Sequence, residues 1–352
     1  PTMNDDSATM RSDPAGIDSP ADSEAALDAR FPGFDSTRPW HHPWCAWRAI
    51  FGRIYSMTGY HNLSLMAAGV AFYAFLSFVP LLGAVVMTYG LVADPATVAE
   101  HMQKIFELVP PDAAHLIEDQ LLSVTTEASG KKGIGLAIAL LLAIYGAMRA
   151  ASALIQAMNV VYEEIDDRSI FYTTFLAMIL TLGAVFAVVV GVGAAGVFAY
   201  LQNAVTILGQ VGVTAIQIAT WLFAALIVSA GFGFVYRFAP DRAQARWQWL
   251  SVGSIAATVL WLIATLLFGL YTANFANYNA TYGALGAVVV LLMWLFVSSY
   301  AVLIGAEINA EAERQTGIDT TTGHPRPRGS RGAVMADTLP SKHQKKPRRD
   351  KY

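Results

Sequence analysis

The sequence predicts an all-α, polytopic membrane protein: a bundle of six transmembrane helices with an external helical hairpin between spans one and two. Three observations carry that prediction. Of 352 residues, 55% are hydrophobic and only 14% charged, where a soluble domain carries about a quarter charged residues. The apolar residues gather into six runs, 66–92, 134–161, 170–201, 213–236, 249–273 and 284–308, each long enough to cross about 30 Å of hydrocarbon at about 1.5 Å per residue. Every Lys and Arg except Lys104, Lys131, Lys132 and Arg149 lies in the tails or in the loops joining spans two to three and four to five. An even number of spans puts both termini on one side, and this enrichment makes that side cytoplasmic.

Residues 1–37 are acidic and rich in Asp, Ser, Ala and Pro, a composition that predicts a disordered tail ahead of a membrane domain spanning 38–316. The first long apolar run starts near Met66, so span one is expected to be an uncleaved anchor rather than a signal peptide. Ahead of it, over about 43–58, Trp44, Trp47, Phe51, Ile54 and Tyr55 recur at helical spacing, with Arg48 and Arg53 elsewhere on the turn. Such an interfacial helix lies flat on the inner leaflet or packs against the inner face of the bundle. The lone Cys45 forms no internal disulfide. In span one, Tyr73, Ser77 and Pro80 share a face, and Pro80 leaves the carbonyl of Leu76 without its helical donor. The resulting kink serves either a ligand or a structural hinge.

The hairpin follows. Asp94 and Pro95 supply an N-cap and a first helical position for a stripe of Val98, Met102, Ile105, Phe106 and Val109. A second helix after Pro111 carries Ala113, Leu116, Ile117, Leu121 and Val124 on one face. Small residues at helical spacing, Ala67 and Ala71, Ala187, Gly191 and Ala195, Gly253 and Ala257, fit close approach of neighbouring spans. The sequon at Asn279 lies on an outer loop. Residues 317–352 carry nine Lys and Arg against Asp319, Asp337 and Asp350 and predict a disordered basic tail.

Span two has the most informative polar pattern. Arg149, Ser152, Gln156, Asn159 and Glu163 follow at steps of three and four, which places them on one helical face. A charge deep in a bilayer costs several kcal/mol unless it is paired, hydrated or carried to the interface. Two readings follow: a polar groove open to the cytoplasm, or an arginine that snorkels or bonds neighbouring helices as structural glue. Helical side chains lean toward the N-terminus, here outward, which opposes snorkelling inward. No acid in the other spans lies at the depth of Arg149, and a cation without a fixed partner suits a phosphate or carboxylate. Tyr73 and Ser77 are expected to line the same path. Glu307 lies near the inner edge of span six, on a face with Glu311 and Arg314; it is expected to be partly hydrated and to latch helices together through Arg237 or Arg168.

Three blocks, AFYAFLSFVPL at 71–81, YRFAP at 236–240 and YGALGAVVVLLMWLFVSSYAVLIGAEINAE at 282–311, resemble the YihY/BrkB family of bacterial inner-membrane proteins. The third is the most specific, through Tyr282, Gly283, Trp294, Gly305, Glu307 and Asn309; Asn159, Tyr162 and Arg168 match the family pattern after its second span. The resemblance covers about 45–315. It implies a six-helix bundle in the inner membrane with cytoplasmic termini, a link to virulence and envelope traits, and an old label, ribonuclease BN. A metal-dependent nuclease needs clustered His and carboxylate ligands, and His41, His42, His61, His101, His115, His324 and His343 form no ligand-spaced motif. No metal site, no cofactor and no phosphate-binding glycine loop is expected. The basic run at 342–351 suits an anionic leaflet better than a specific nucleic acid. The leading expectation is a non-enzymatic protein that binds or moves an anionic, amphiphilic envelope metabolite past Arg149, Ser152, Gln156, Asn159, Tyr73 and Ser77. Pro80, Arg168, Arg237, Tyr282, Glu307 and Asn309 hold structure or gate it. The alternative is a non-transporting scaffold for envelope assembly.

Overall fold

A computed structural model describes residues 31–92, 129–204, 209–274 and 284–340; the predicted hairpin, the sequon and Tyr282 lie outside them. The described elements are helices: α1 (Trp44–Tyr60), α2 (Leu63–Val92), α3 (Ser129–Val161), α4 (Ile170–Ala204), α5 (Gly209–Phe238), α6 (Trp247–Asn274), α7 (Ala284–Gln315) and a short α8 (Val334–Asp337). Five of them, α3 to α7, are long and apolar enough to cross a membrane; α1 and the first half of α2, bent by 63° at residues 61–62, make a sixth candidate. The chain is thus an all-α, multi-pass membrane protein.

Helices adjacent in sequence are adjacent in space. α2 packs on α3, α3 on α4, α4 on α5, α5 on α6 and α6 on α7, and α7 returns to α2, which closes a ring. The tightest crossings use glycine. A Cβ at Gly146 would lie 2.8 Å from Ser77 Cα, and one at Gly305 would lie 2.6 Å from the carbonyl oxygen of Gly253. That approach lets Asn309 bond the α6 backbone, accepting from Gly253 N–H at 2.7 Å and donating to the Leu250 carbonyl at 3.2 Å. Gly253, Ala257, Ala67 and Ala71 are buried as their spacing implied, whereas Gly191 faces open space.

The core is concentrated toward the end of the bundle that carries residues 31–43 and 317–340. Leu63, Ile155, Met158, Tyr162, Tyr236, Leu250 and Leu303 are buried there. From Gly305 to Thr316 every residue of α7 and its cap is buried. A helix buried all round is ordinarily apolar all round, yet this one carries Glu307, Asn309, Glu311, Glu313, Arg314 and Gln315. Three coverings make it possible. α1 lays Ile50 and Ile54 against Ile308 and Ala312. Residues 32–36 meet its end: Gln315 donates to the Pro32 carbonyl at 2.8 Å and Thr316 to the Ser36 carbonyl at 2.8 Å. The third covering is residues 317–340, where composition predicted disorder. These residues are folded because side chains satisfy their backbone. Arg331 donates to the carbonyls of Gly317, Arg326 and Ala336, and Asp337 accepts from the N–H groups of Gly329, Arg331 and Gly332.

α1 packs one face against the bundle. Ala46, Ile50, Ile54 and Met57 pack inward, while Trp44, Phe51 and Tyr55 are exposed at 73%, 50% and 87% on the opposite side.

Candidate functional site

Two polar constellations emerge, one along the span-two helix and one around the end of α7. On α3, the stripe divides. Arg149 and Gln156 are exposed, Ser152 is half-buried and Asn159 is buried. The guanidinium of Arg149 lies 5.6 Å from the ring centroid of Tyr73 on α2, a cation–π contact, and it meets no acid among the described residues. It stands about 12 residues, ~18 Å, before the end of α3. Its exposed face also holds Ile138, Leu142, Tyr145 and Val160, so the arginine opens laterally onto an apolar flank. The hydroxyls expected to line a path turn back on their own helices: Ser152 donates to the Met148 carbonyl at 2.8 Å and Ser77 to the Ala74 carbonyl at 2.7 Å. Pro80 is half-buried inside α2.

Asn159 does not line a path. Its amide nitrogen donates to Asp166 at 2.9 Å and its oxygen accepts from Asp241 N–H at 2.7 Å, so it ties the loop after α3 to the loop after α5. Arg168 completes that tie, donating to Asp166 at 2.8 and 3.0 Å and to the Ala239 carbonyl at 3.0 Å. Its hydrogen bonds hold the Asp166 carboxyl below the usual range, overcoming the opposing effect of burial.

At the end of α7, Glu307 is 0% exposed, not at a hydrated edge. Its partner is His61, 3.1 Å away, rather than Arg237 or Arg168, and its second oxygen has no hydrogen-bond partner among the described residues. The other side of His61 lies 3.7 Å from Glu163, which pairs with Arg314 at 2.9 Å; Arg314 reaches Glu311 at 3.2 Å, and Glu311 pairs with Arg53 of α1. A run of alternating charge therefore joins α1, the α1–α2 turn, the end of α3 and α7. Glu163 sits at φ +55°, the left-handed C′ position of a Schellman cap in which Glu164 N–H bonds the Asn159 carbonyl and Glu163 N–H that of Val160. Glycine is the usual occupant; Glu accepts the strain and gains the ion pair. A second buried pair, Arg242 with Glu313, is bidentate at 2.5 and 2.7 Å. Burial acts to discharge Arg242, and the Glu313 carboxylate outweighs it.

Sequence reasoning missed His61, Arg242 and Glu313. The buried partners lie 246 and 71 residues apart, and no local pattern links them. Among the described residues, no three His, Cys, Asp or Glu side chains are grouped to hold a metal ion.

Comparison with known proteins agrees with this architecture. Residues 54–330 match the family model described as virulence factor BrkB. A ribonuclease-like protein, YfkH, of Bacillus subtilis is 25% identical over 73% of this chain and 92% of its own length. UPF0761 membrane proteins of Rhodospirillum centenum and Idiomarina loihiensis are 28% and 29% identical, over 71% and 60% of this chain and 54% and 72% of theirs. The chain thus spans about half of the Rhodospirillum relative. No solved structure matches the chain significantly. With five to six membrane-length helices and a family match over most of its length, the chain belongs to the BrkB virulence-factor family of integral membrane proteins.

Proposed function

We propose that this protein binds an anionic amphiphile where α2 meets α3 and moves it across the bacterial inner membrane, with both termini in the cytoplasm. The observation that carries the reading is Arg149, a permanent cation within a span, exposed and without an acidic partner among the described residues. A guanidinium there is tolerable when hydrated or when an anion meets it, and its planar donor fork suits phosphate or carboxylate. Tyr73 holds the guanidinium through its ring. The apolar neighbours Leu142, Tyr145 and Val160 favour a ligand that brings its own hydrocarbon, which a free small anion does not. The one-sided distribution of Lys and Arg supports the orientation.

The scaffold reading is favoured by a different observation: Ser77, Ser152 and Asn159 are all engaged within the protein. Two measurements separate the readings. In a Cys45→Ser background, water-soluble maleimide labels Arg149→Cys and Gln156→Cys while Asn159→Cys stays protected; protection of all three contradicts a hydrated site. In proteoliposomes, Arg149→Gln slows flux of a fluorescent anionic lipid by about tenfold or more, the value of one charge-assisted contact. Absent flux in both proteins selects the scaffold, and flux that Arg149→Gln leaves unchanged refutes Arg149 as the binding group.

A further inference from the structure

A second polar feature lies away from Arg149. Where α4 begins and α5 ends, at the end of the bundle carrying the described flanks, a cleft of about 410 Å³ opens between Arg168, Ser169, Tyr172, Arg237, Asp241 and Gln244. That volume is within the ~300–1,000 Å³ of small-ligand sites.

Three arginines line it, and they are not equally available. Arg242 is committed to Glu313. Arg168 is held by Asp166, with Asp241 3.8 Å away, and its Nη1 keeps its N–H groups unbonded among the described residues. Arg237 has no acidic partner among the described residues. It bonds the Ala245 carbonyl and, at 3.1 Å, the Gln244 side chain, and its guanidinium lies 4.8 Å from the centroid of Trp247, which fixes its position. The cleft therefore holds one arginine, Arg237, that no carboxylate pairs with directly, while Asp241 at the same mouth leaves the group as a whole near neutral. The N-terminus of α4, where Tyr172 N–H bonds Ser169 Oγ at 3.3 Å, adds to the sign of Arg237. On the same first turns of α4, Ile170, Phe171 and Phe175 are exposed at 83%, 88% and 54%, and Phe175 lies one turn beyond Tyr172.

We propose that this cleft binds the phosphodiester of a membrane glycerophospholipid, with Arg237 and the free N–H groups of Arg168 as donors and the acyl chains along α4. Arg237 can pair with the single charge of a phosphodiester, while Asp241 opposes the second charge of a phosphate monoester. Basic pockets between membrane helices at this level are suited to lipid headgroups, and the exposed aromatics beside it favour the lipid over free phosphate. The site lies on α4 and α5, so it goes beyond the flank at Arg149 and does not depend on it.

Native mass spectrometry of the full chain in mild detergent tests the assignment, with phosphatidylglycerol, diacylglycerol of the same chains, and inorganic phosphate as probes. The wild type retains phosphatidylglycerol and releases diacylglycerol. Ser169→Asp keeps an oxygen cap for Tyr172 N–H while placing a carboxylate at the mouth; retention falls about tenfold or more at an unchanged unfolding temperature, as expected for loss of one charge-assisted contact. Arg237→Gln has the same effect, and should it misfold, Ser169→Asp decides alone. Equal retention by wild type and Ser169→Asp overturns the proposal, as does retention of diacylglycerol matching phosphatidylglycerol. Displacement by inorganic phosphate at equal concentration assigns the cleft to free phosphate and overturns the lipid. Made in an Arg149→Gln background, the same comparison of Ser169 with Ser169→Asp reads the cleft without the α2–α3 flank, so the two proposals fail separately.

Discussion

Replacing Glu313 with Met while Arg242 remains leaves a cation stranded beneath 317–340. The two side chains are 1% and 2% exposed and joined by two hydrogen bonds of 2.7 and 2.5 Å. Arg242 also lies 5.1 Å from the ring centroid of Tyr162, and Glu313 accepts the hydroxyl of Thr320. Breaking a buried pair by removing one partner costs about 3–5 kcal/mol, a large share of the ~5–15 kcal/mol that holds a domain folded. The two single variants differ in character. Arg242→Met strands a carboxylate in the same dry site. Glu313→Met leaves a guanidinium that stays charged at any accessible pH. The double variant Arg242→Met/Glu313→Met removes both charges and recovers to within about 1 kcal/mol of wild type, a coupling of roughly 5 kcal/mol or more. Unfolding midpoints of the purified protein in a denaturing-detergent titration, read by tryptophan fluorescence, give all four corners of the cycle. Losses that simply add in the double variant refute the reasoning.

Two further outcomes follow from the structure. Burial raises the Glu164 carboxyl to about 7, against the opposing bond from Val334 N–H. Its folded value exceeds its unfolded one, so its contribution is fully present below about pH 4.5 and is lost as pH rises through about 7; thermal midpoints across that window slope downward in wild type, and a slope that persists in Glu164→Gln excludes this group as the cause. At Gly253, a Cβ overlaps the Gly305 carbonyl and the Asn309 amide. Gly253→Ala therefore costs about 1–3 kcal/mol of overpacking plus about 1 kcal/mol for each Asn309 bond lost, measured by the same titration, and an unchanged midpoint contradicts the close approach of α6 and α7.

The spans were legible because hydrocarbon imposes its own length on the chain: the predicted edges at 134–161 and 170–201 lie close to α3 and α4, with α3 starting a few residues earlier and α4 ending a few later. The glycine and alanine positions at 253 and 257 were legible for a related reason, since only small side chains permit contact between backbones. What periodicity does not express is structure made by side chains bonding backbone. Residues 317–340 have no repeating apolar pattern, and their order rests on Arg331, Asp337 and Asp319, each satisfying several backbone groups. The polar stripe on α3 divides between two surroundings, because helical spacing does not distinguish Arg149, which is exposed, from Asn159, which is buried against the neighbouring loops. Glu307 was identified as a latch, yet its counterpart had to come from the turn at His61, and a sharp bend between two helices, with Asn62 at φ +52°, brings that ring beneath the last span.

The sheathing of α7 has a consequence for biogenesis. Its terminal turns leave the ribosome carrying six polar side chains whose counterparts were synthesised earlier, at 32, 53, 61, 163, 242, 250 and 253, or emerge later, at 320. The covering by residues 317–340 can form only once α7 has been made. A nascent chain cut at 316 would keep the partners at 53, 61, 163 and 242 but lack Thr320 and the collar around them.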